Sequence, residues 1–114
     1  MTKRWHILRE HGALTLARQV PVRFDFAVRT TLGPGDALRL AHQIRQDLWR
    51  ALQRLRGFSP VVRLEPQGAG WDVTAGGRAP GTVPASVLHL AQNVLMSPAN
   101  QSRWLRHAQK GGRS

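Results

Sequence analysis

The alternation of apolar and polar residues is clearest between residues 20 and 29. β-branched or aromatic side chains occupy every second position from Val20 to Val28, and proline, alanine or charged residues lie between them. A period of two with such side chains is typical of a strand that has one face on a core and the other in water. The pattern predicts a strand over residues 20–29. Pro21 is expected at its start or on a sheet edge, because proline has no backbone N–H to donate.

Two weaker patterns predict further strands. Residues 5–18 show no helical stripe, and a glycine in their middle would weaken a helix. We therefore expect two short strands there, joined by a turn near His11-Gly12. Residues 61–65 and 71–75 flank a segment rich in proline and glycine, which predicts a β-hairpin with a loop of about five residues.

The longest helix is predicted over residues 37–56. Asp36 precedes it as an N-cap whose side chain accepts hydrogen bonds from the first turn, and Gly57 follows as the residue that ends it. On a helical wheel its apolar residues fall in an arc of about 120°, the width of a stripe that faces a core. These residues are Leu40, Ala41, Ile44, Leu48, Ala51, Leu52 and Leu55.

Two shorter helices are predicted towards the C-terminus. The first covers residues 84–96, and Ser97 and Pro98 supply the N-cap and first residue of the second, which extends to about residue 108. The core-facing stripe of the first comprises Val87, Leu90, Ala91 and Val94.

The order of these elements predicts a two-layer α+β domain. Strands come first, followed by the long helix, a hairpin and two helices. The long helix and one or two C-terminal helices would cover one face of a small antiparallel sheet of about three to five strands. Residues 1–114 fit a single domain, since domains usually run to about 100–150 residues. The basic termini, residues 1–4 and 109–114, are expected to fray.

Charge is the unusual part of the composition. Lys and Arg number 17 against 6 Asp and Glu, giving a net charge of +11, while the hydrophobic content of 41% is ordinary. Such a surplus attracts polyanions, which are nucleic acids, anionic membrane surfaces or acidic proteins. Two explanations fit the preference for Arg over Lys, the selection of arginines for binding phosphates or carboxylates and the codon usage of a GC-rich genome. Codon usage would not explain the scarcity of acidic residues.

The polar side of the long helix carries the strongest functional signal. Trp49 lies there among arginines, where the helix does not need it for its own packing. Indole and guanidinium groups stack on nucleic-acid bases, and guanidinium groups also pair with phosphates. The helix is therefore predicted to bind nucleic acid, with Trp49 as the stacking group. The phosphate contacts are assigned to Arg39, Arg45, Arg50, Arg54 and Arg56.

A second basic and aromatic cluster lies in the last helix. Arg103, Arg106 and Lys110 are expected to extend the phosphate-binding surface. Cations near a helix C-terminus also complement its dipole, which accounts for Arg106 and Lys110 without any ligand. Trp104 and Leu105 are expected to dock this helix on the body of the domain.

No pattern of catalytic or metal-ligating residues is recognisable. There is no Cys, and no two His have the spacing of a helical zinc site. Asp36 is explained as a cap and Asp47 as a local partner of Arg50. No Ser lies in a nucleophile elbow, and no glycine-rich segment has the form of a nucleotide-binding loop. We therefore expect no enzymatic activity, metal or cofactor, since an enzyme would need His42 or His89 to meet a carboxylate in a pocket.

Several alternatives to nucleic-acid binding stay open. The main one is a small subunit that docks on an acidic protein surface in a larger assembly, with Trp49 as its anchor. Another has Trp49 packed under residues 5–18, which would make the basic face intramolecular. A homodimer by strand-edge pairing is compatible with Pro21 on an exposed edge. No run approaches the about 18 apolar residues of a membrane span, and the N-terminus lacks a secretory signal, so a cytoplasmic location is expected.

Overall fold

The structure, a computed structural model, describes the backbone of residues 5–112 and the side chains of residues 5–109. This part of the chain contains five strands and three helices. The strands are β1 (His6–Glu10), β2 (Ala13–Ala17), β3 (Phe26–Leu32), β4 (Ser59–Gln67) and β5 (Gly70–Arg78). The helices are α1 (Ala37–Ala51), α2 (Ala85–Met96) and α3 (Pro98–Gly112).

The strands form one antiparallel sheet in the order β1-β2-β4-β5-β3. Successive side chains of a strand point to opposite faces, and one face brings together Leu14, Leu64 and Val73 in direct register. These residues form a single buried core with residues of all three helices, such as Ile44 and Trp104. The helices thus cover one face of the sheet, and the predicted two-layer α+β architecture is confirmed.

The N-terminal hairpin is present as predicted. β1 pairs with β2 so that Glu10 lies opposite Ala13, which leaves only His11 and Gly12 in the turn. Both turn residues have positive φ, at 53° and 82°. A two-residue hairpin turn of this kind requires that backbone, and glycine adopts it without strain.

β3 begins at Phe26, so the prediction of a strand over residues 20–29 is wrong in its first half. β2 is second in the sheet and β3 lies at the far edge, so the chain between them has to pass β4 and β5. The alternation of apolar residues from Val20 continues through this crossover. A period of two therefore did not locate the start of pairing.

The crossover, residues 18–25, is bonded to the end of β5. The carboxylate of Asp25 accepts from the backbone N–H of Ala79 at 2.8 Å, and the guanidinium of Arg78 donates to the carbonyl of Pro21. Pro21 thus lies in the crossover and not on a strand edge, which corrects the prediction. Its position accordingly no longer supports a homodimer by edge pairing.

The hairpin of β4 and β5 is longer than predicted, because its turn contains two residues, Gly68 and Ala69, where about five were expected. The pairing extends through Gly76 and on to Arg78, past residue 75, where the second strand was predicted to end. A Cβ atom at Gly76 would overlap the carbonyl oxygen of Phe26 in β3. The glycine is therefore required by the close approach of two strands and does not mark a loop.

α1 begins where the sequence predicts and ends earlier. The carboxylate of Asp36 accepts from the backbone N–H of Arg39 at 2.9 Å, which confirms the N-cap. The helix ends at Ala51 with Leu52 as its C-cap, so the prediction that it continues to residue 56 is wrong. Leu52 and Phe58 are both buried in the core, and the chain turns between them to bring Phe58 to the sheet.

α2 uses a narrower apolar row than predicted. Val87, Ala91 and Leu95 are buried at a spacing of four residues, whereas Leu90, predicted to face the core, is 46% exposed. α2 lies at the border of the helical layer, where it packs against the edge strand β3. One row of buried side chains is therefore enough to hold it against the core. Leu90 lies outside that row.

α3 begins with the predicted cap, since the hydroxyl of Ser97 accepts from the backbone N–H of Asn100 at 3.2 Å. It continues to Gly112, past the predicted end near residue 108, so the predicted C-terminal tail is shortened. Residues 1–4 and 113–114 lie outside the described part of the chain. None of the helices described combines the length and apolar character needed to span a bilayer.

Candidate nucleic-acid interface

The outward side of α1 carries a stripe of long polar side chains. Arg39, Gln43, Gln46 and Arg50 follow one another at helical spacing on the side away from the buried row of the helix. Both arginines are exposed and both glutamines are half-buried. At 1.5 Å per residue the two arginines are separated by about 16 Å along the helix, or about five base-pair steps of 3.4 Å.

Arg54 and Arg56 follow α1 in the turn that leads to β4, and both are exposed. The sequence placed them on the helix, whereas the structure places them just beyond it. A surface depression of about 440 Å³ lies between this turn and the start of α2. Its cationic rim includes Arg50 and Arg54, and its apolar wall includes Leu55. The C-terminal end of α1 therefore places two arginines on the α1 side of a concave surface.

The N-terminal end of α1 borders a second depression, of about 500 Å³, beside the last turns of α3. Arg39, His42 and His107 line it. α3 is held there by the side chain of Gln109, whose Nε2 donates to the carbonyl of Pro34 at 2.6 Å. The acidic residue Asp36 also lines this depression. A concave surface with at least one arginine in its lining therefore lies at each end of α1.

The three α3 residues assigned to the predicted interface differ in exposure and in their hydrogen bonds. Arg106 is exposed. The side chain of Lys110, the last of them, lies outside the described part of the chain. The Nη2 atom of Arg103 donates at 2.7 Å to Asp47 and at 2.8 Å to Asn100, so a structural role accounts for Arg103. Its phosphate contact stays a prediction.

Asp47 joins α1 to α3. Besides Arg103, its Oδ2 atom accepts from the indole Nε1 of Trp104 at 2.8 Å. The predicted ion pair between Asp47 and Arg50 is therefore wrong, because the carboxylate turns towards α3 and away from the solvent side. Trp104 is fully buried and Leu105 is partly buried against the core, which confirms that they dock α3 on the domain.

Acidic side chains are scarce on the helical layer. The sheet and the crossover hold Glu10, Asp25, Glu65 and Asp72. The other two acids, Asp36 and Asp47, are engaged in the N-cap and in the contact with α3. Within residues 5–109, the arginines in salt bridges are Arg23, Arg63 and Arg103. Eight exposed arginines of the described residues lie outside these pairs. Arg9, Arg18 and Arg29 belong to the strands and the crossover. The five on or next to the helices form what we call the arginine surface: Arg39, Arg50, Arg54, Arg56 and Arg106.

Trp49 is neither buried nor free. One face of its indole stacks on Phe58, with ring centroids 6.1 Å apart and planes 13° from parallel. The side chain is still 44% exposed, so the N-terminal segment does not cover it from solvent. Phe58 fixes the orientation of the ring, and the exposed part of the indole is available for a second stacking contact.

Arg45 does not face solvent as the sequence predicts. It is half-buried, and its guanidinium carbon lies 4.7 Å from the ring centroid of Trp5 in the N-terminal segment. Its Nε atom donates to Nδ1 of His42 at 3.3 Å. Arg18 lies over the same indole, at 5.3 Å from its centroid. The N-terminal segment thus packs on the Arg45 side of α1 and leaves Trp49 at its border.

Sequence reasoning missed Arg18 and Trp5 as members of this site. Arg18 follows β2 and Trp5 precedes β1, so no helical wheel relates either residue to Arg45. The pairing of His6 with Ala17 is what brings Trp5 and Arg18 to the same end of the hairpin. The only available signal was the hairpin prediction itself, which places residues 5 and 18 opposite each other.

The environment of His42 predicts a pH dependence of stability. Burial lowers the pKa of His42 below 6.5, and the positive charge of Arg45 lowers it further. Below pH 6.5 the unfolded chain therefore binds more protons at this residue than the folded protein does, so the free energy of unfolding decreases as the pH falls. We expect the His42→Gln variant to show a smaller decrease, measured by urea unfolding at about pH 7 and about pH 5.

The matched control for this prediction is His89→Gln, since His89 is exposed on α2. It should leave the pH dependence unchanged. An identical decrease in the wild-type protein and in His42→Gln would contradict the origin assigned to the effect.

An enzyme was expected to need His42 or His89 beside a carboxylate in a pocket, and the structure shows the surroundings of both residues. His42 shares a depression with Asp36, but that carboxylate caps α1 and the only side-chain hydrogen bond of His42 among the described residues comes from Arg45. His89 is exposed on α2. Over the described residues, no three His, Asp or Glu side chains cluster in a way that would hold a metal ion.

The groups that the structure brings together are therefore cations and aromatic rings. This combination provides charge for phosphates and flat surfaces for bases. Comparisons of the chain with protein-family models, with curated proteins and with solved structures found no match, so what supports a function is the chemistry of this surface.

Proposed function

We propose that this protein binds nucleic acid, mainly through phosphate contacts from the arginine surface of its helical layer. The observation that carries the proposal is the separation of charge between the two layers. The arginine surface is exposed without salt bridges to the described carboxylates, while both acids of the helical layer are engaged within the protein. Exposed guanidinium groups of this kind bind phosphate oxygens in pairs of hydrogen bonds.

The layout of the arginine surface suits an extended polyanion. Arg39 lies at one end of α1, and Arg50, Arg54 and Arg56 lie at or beyond the other. A ligand that contacts both ends has to carry negative charges separated by about 16 Å, which a nucleic acid does and a small metabolite does not. Trp49 lies on the neighbouring side of α1 and adds a stacking surface.

Binding should depend strongly on salt. We expect the wild-type protein to bind a fluorescently labelled duplex and a single strand of equal length at about 50 mM KCl, measured by anisotropy. The logarithm of the binding constant should fall linearly with the logarithm of the salt concentration, with a slope of about 0.7–0.9 per neutralised phosphate. Arg39→Gln and Arg50→Gln should each weaken binding and reduce that slope by about 1.

Arg29→Gln is the matched control. Arg29 is exposed on β3, and its register with Thr74 and Arg63 places it on the sheet face opposite to the helices. Its substitution removes the same charge and should leave the salt slope unchanged.

Absence of binding to both the duplex and the single strand at about 50 mM salt would contradict the proposed function. Recovery of an acidic protein partner that resists nuclease treatment, and is lost in Arg50→Gln, would replace it with docking on a protein.

A further inference from the structure

A small cavity lies where the N-terminal hairpin meets α1. Its volume is about 70 Å³, and it is lined by Trp5, Arg18, Arg45, Trp49 and Pro60. Two of its walls are guanidinium groups and two are indoles. The residues come from four separate parts of the chain, so the cavity exists only in the folded protein.

Among the described residues, no carboxylate pairs with either cation of this cavity. Arg18 and Arg45 both lie over the Trp5 ring, and neither is in a salt bridge among the described residues. Arg45 is half-buried, and the side-chain acceptor that it reaches is the neutral ring nitrogen of His42. Burial of a charge is costly unless the charge is paired, and this cost falls on Arg45, because Arg18 is exposed. An anion bound between the two guanidinium groups would offset it.

We propose that Arg18 and Arg45 bind a phosphoryl group in this cavity, and that the adjoining nucleobase stacks on the exposed part of Trp49. The inference rests on the proposed function and adds to it a preference for single-stranded over double-stranded nucleic acid. The cavity volume exceeds the share of about 30 Å³ that a water molecule occupies, so it admits a compact group and leaves the base outside. Trp49 borders the cavity, which is where a base attached to the bound phosphate would lie.

The preference for single strands follows from the stacking contact. A base within a duplex has both faces covered by its neighbours, whereas an unpaired base can be splayed onto an aromatic ring. Phe58 stacks on one face of the Trp49 indole and thereby fixes the orientation of the ring on which the base would stack. Arginine supplies two parallel hydrogen bonds to a phosphate, a geometry that lysine cannot reproduce.

The test compares two single strands of equal length, an oligothymidylate and its abasic analogue, which keeps the phosphates and lacks the bases. We expect the wild-type protein to bind oligothymidylate about fivefold or more tightly than the abasic strand, since stacking of one base contributes about 1–3 kcal/mol. Trp49→Ala should abolish this preference and leave abasic binding unchanged. Arg18→Gln should weaken binding of both strands, and Arg18→Lys should restore only part of the loss.

Duplex binding separates this inference from the proposed function. If neither duplex nor single strand binds the wild-type protein, the proposed function itself fails. If both bind, but Trp49→Ala and Arg18→Gln behave like the wild type while remaining folded by circular dichroism, only the cavity assignment is overturned. A last measurement uses inorganic phosphate as a competitor, with chloride of equal ionic strength as the control. If phosphate displaces oligothymidylate more than chloride does, and equally in the wild-type protein and Trp49→Ala, the cavity binds free phosphate and the proposed nucleic-acid site is overturned.

Discussion

Replacement of Trp104 by alanine is expected to destabilise the protein by about 3–5 kcal/mol, the range for loss of a buried large aromatic side chain. Trp104 is fully buried and is among the largest such side chains in the described residues. It lies between α3 and α1, and its indole N–H donates to Asp47. The substitution would leave a cavity in the core and would remove one of the two donors that stabilise a largely buried carboxylate.

Urea unfolding followed by circular dichroism measures this effect. Trp104→Phe should lose less stability, because it keeps most of the packing and loses only the hydrogen bond to Asp47. Trp49→Ala provides the comparison with the same residue type at a site that is 44% exposed, and it should cost clearly less than Trp104→Ala. Equal losses at Trp49 and Trp104 would show that α3 does not complete the core.

The second large effect is expected at Gly76, where alanine should destabilise the protein by about 3 kcal/mol. Gly76 lies in β5 with β4 on one side and β3 on the other. An added Cβ would overlap the carbonyl oxygen of Phe26, which is backbone and not the end of a flexible side chain. Relief of the overlap requires that β3 move away from β5, which breaks ladder hydrogen bonds.

Gly33→Ala is the control for Gly76→Ala. Gly33 has no heavy atom within 4 Å of the position of an added Cβ and does not have a positive φ, so alanine there should change stability little. Both variants are compared by thermal unfolding. Similar melting temperatures for Gly76→Ala and the wild-type protein would contradict the close pairing of β3 with β5.

The local elements could be predicted because short-range rules determine them. The turn at His11-Gly12, the cap at Asp36 and the cap at Ser97 depend on residues within a few positions of one another, and all three are confirmed. The errors lie where a distant contact decides. α1 ends early because Phe58 has to reach the sheet, and the glycine at position 76 continues a strand because β3 approaches it closely.

The candidate site was predictable to a similar extent. The helical wheel separated the buried row of α1 from its polar side, and Arg39 and Arg50 are exposed as that division implies. It could not show that Arg45, on the same polar side, is covered by Trp5 and joined there by Arg18. A wheel describes one helix, whereas these contacts come from a hairpin that packs against it.

By itself the sequence determined the fold class, the strongly basic character and the amphipathic pattern of α1, because composition and periodicity are properties of the chain alone. Only the tertiary structure decided which arginines form salt bridges with carboxylates and which do not. It pairs Arg103 with Asp47 across two helices, places four of the six acids on the sheet and the crossover, and leaves two arginines beside Trp5 without a carboxylate among the described residues. The physical reason is that electrostatic neutralisation depends on distance in space, which periodicity along the chain does not encode.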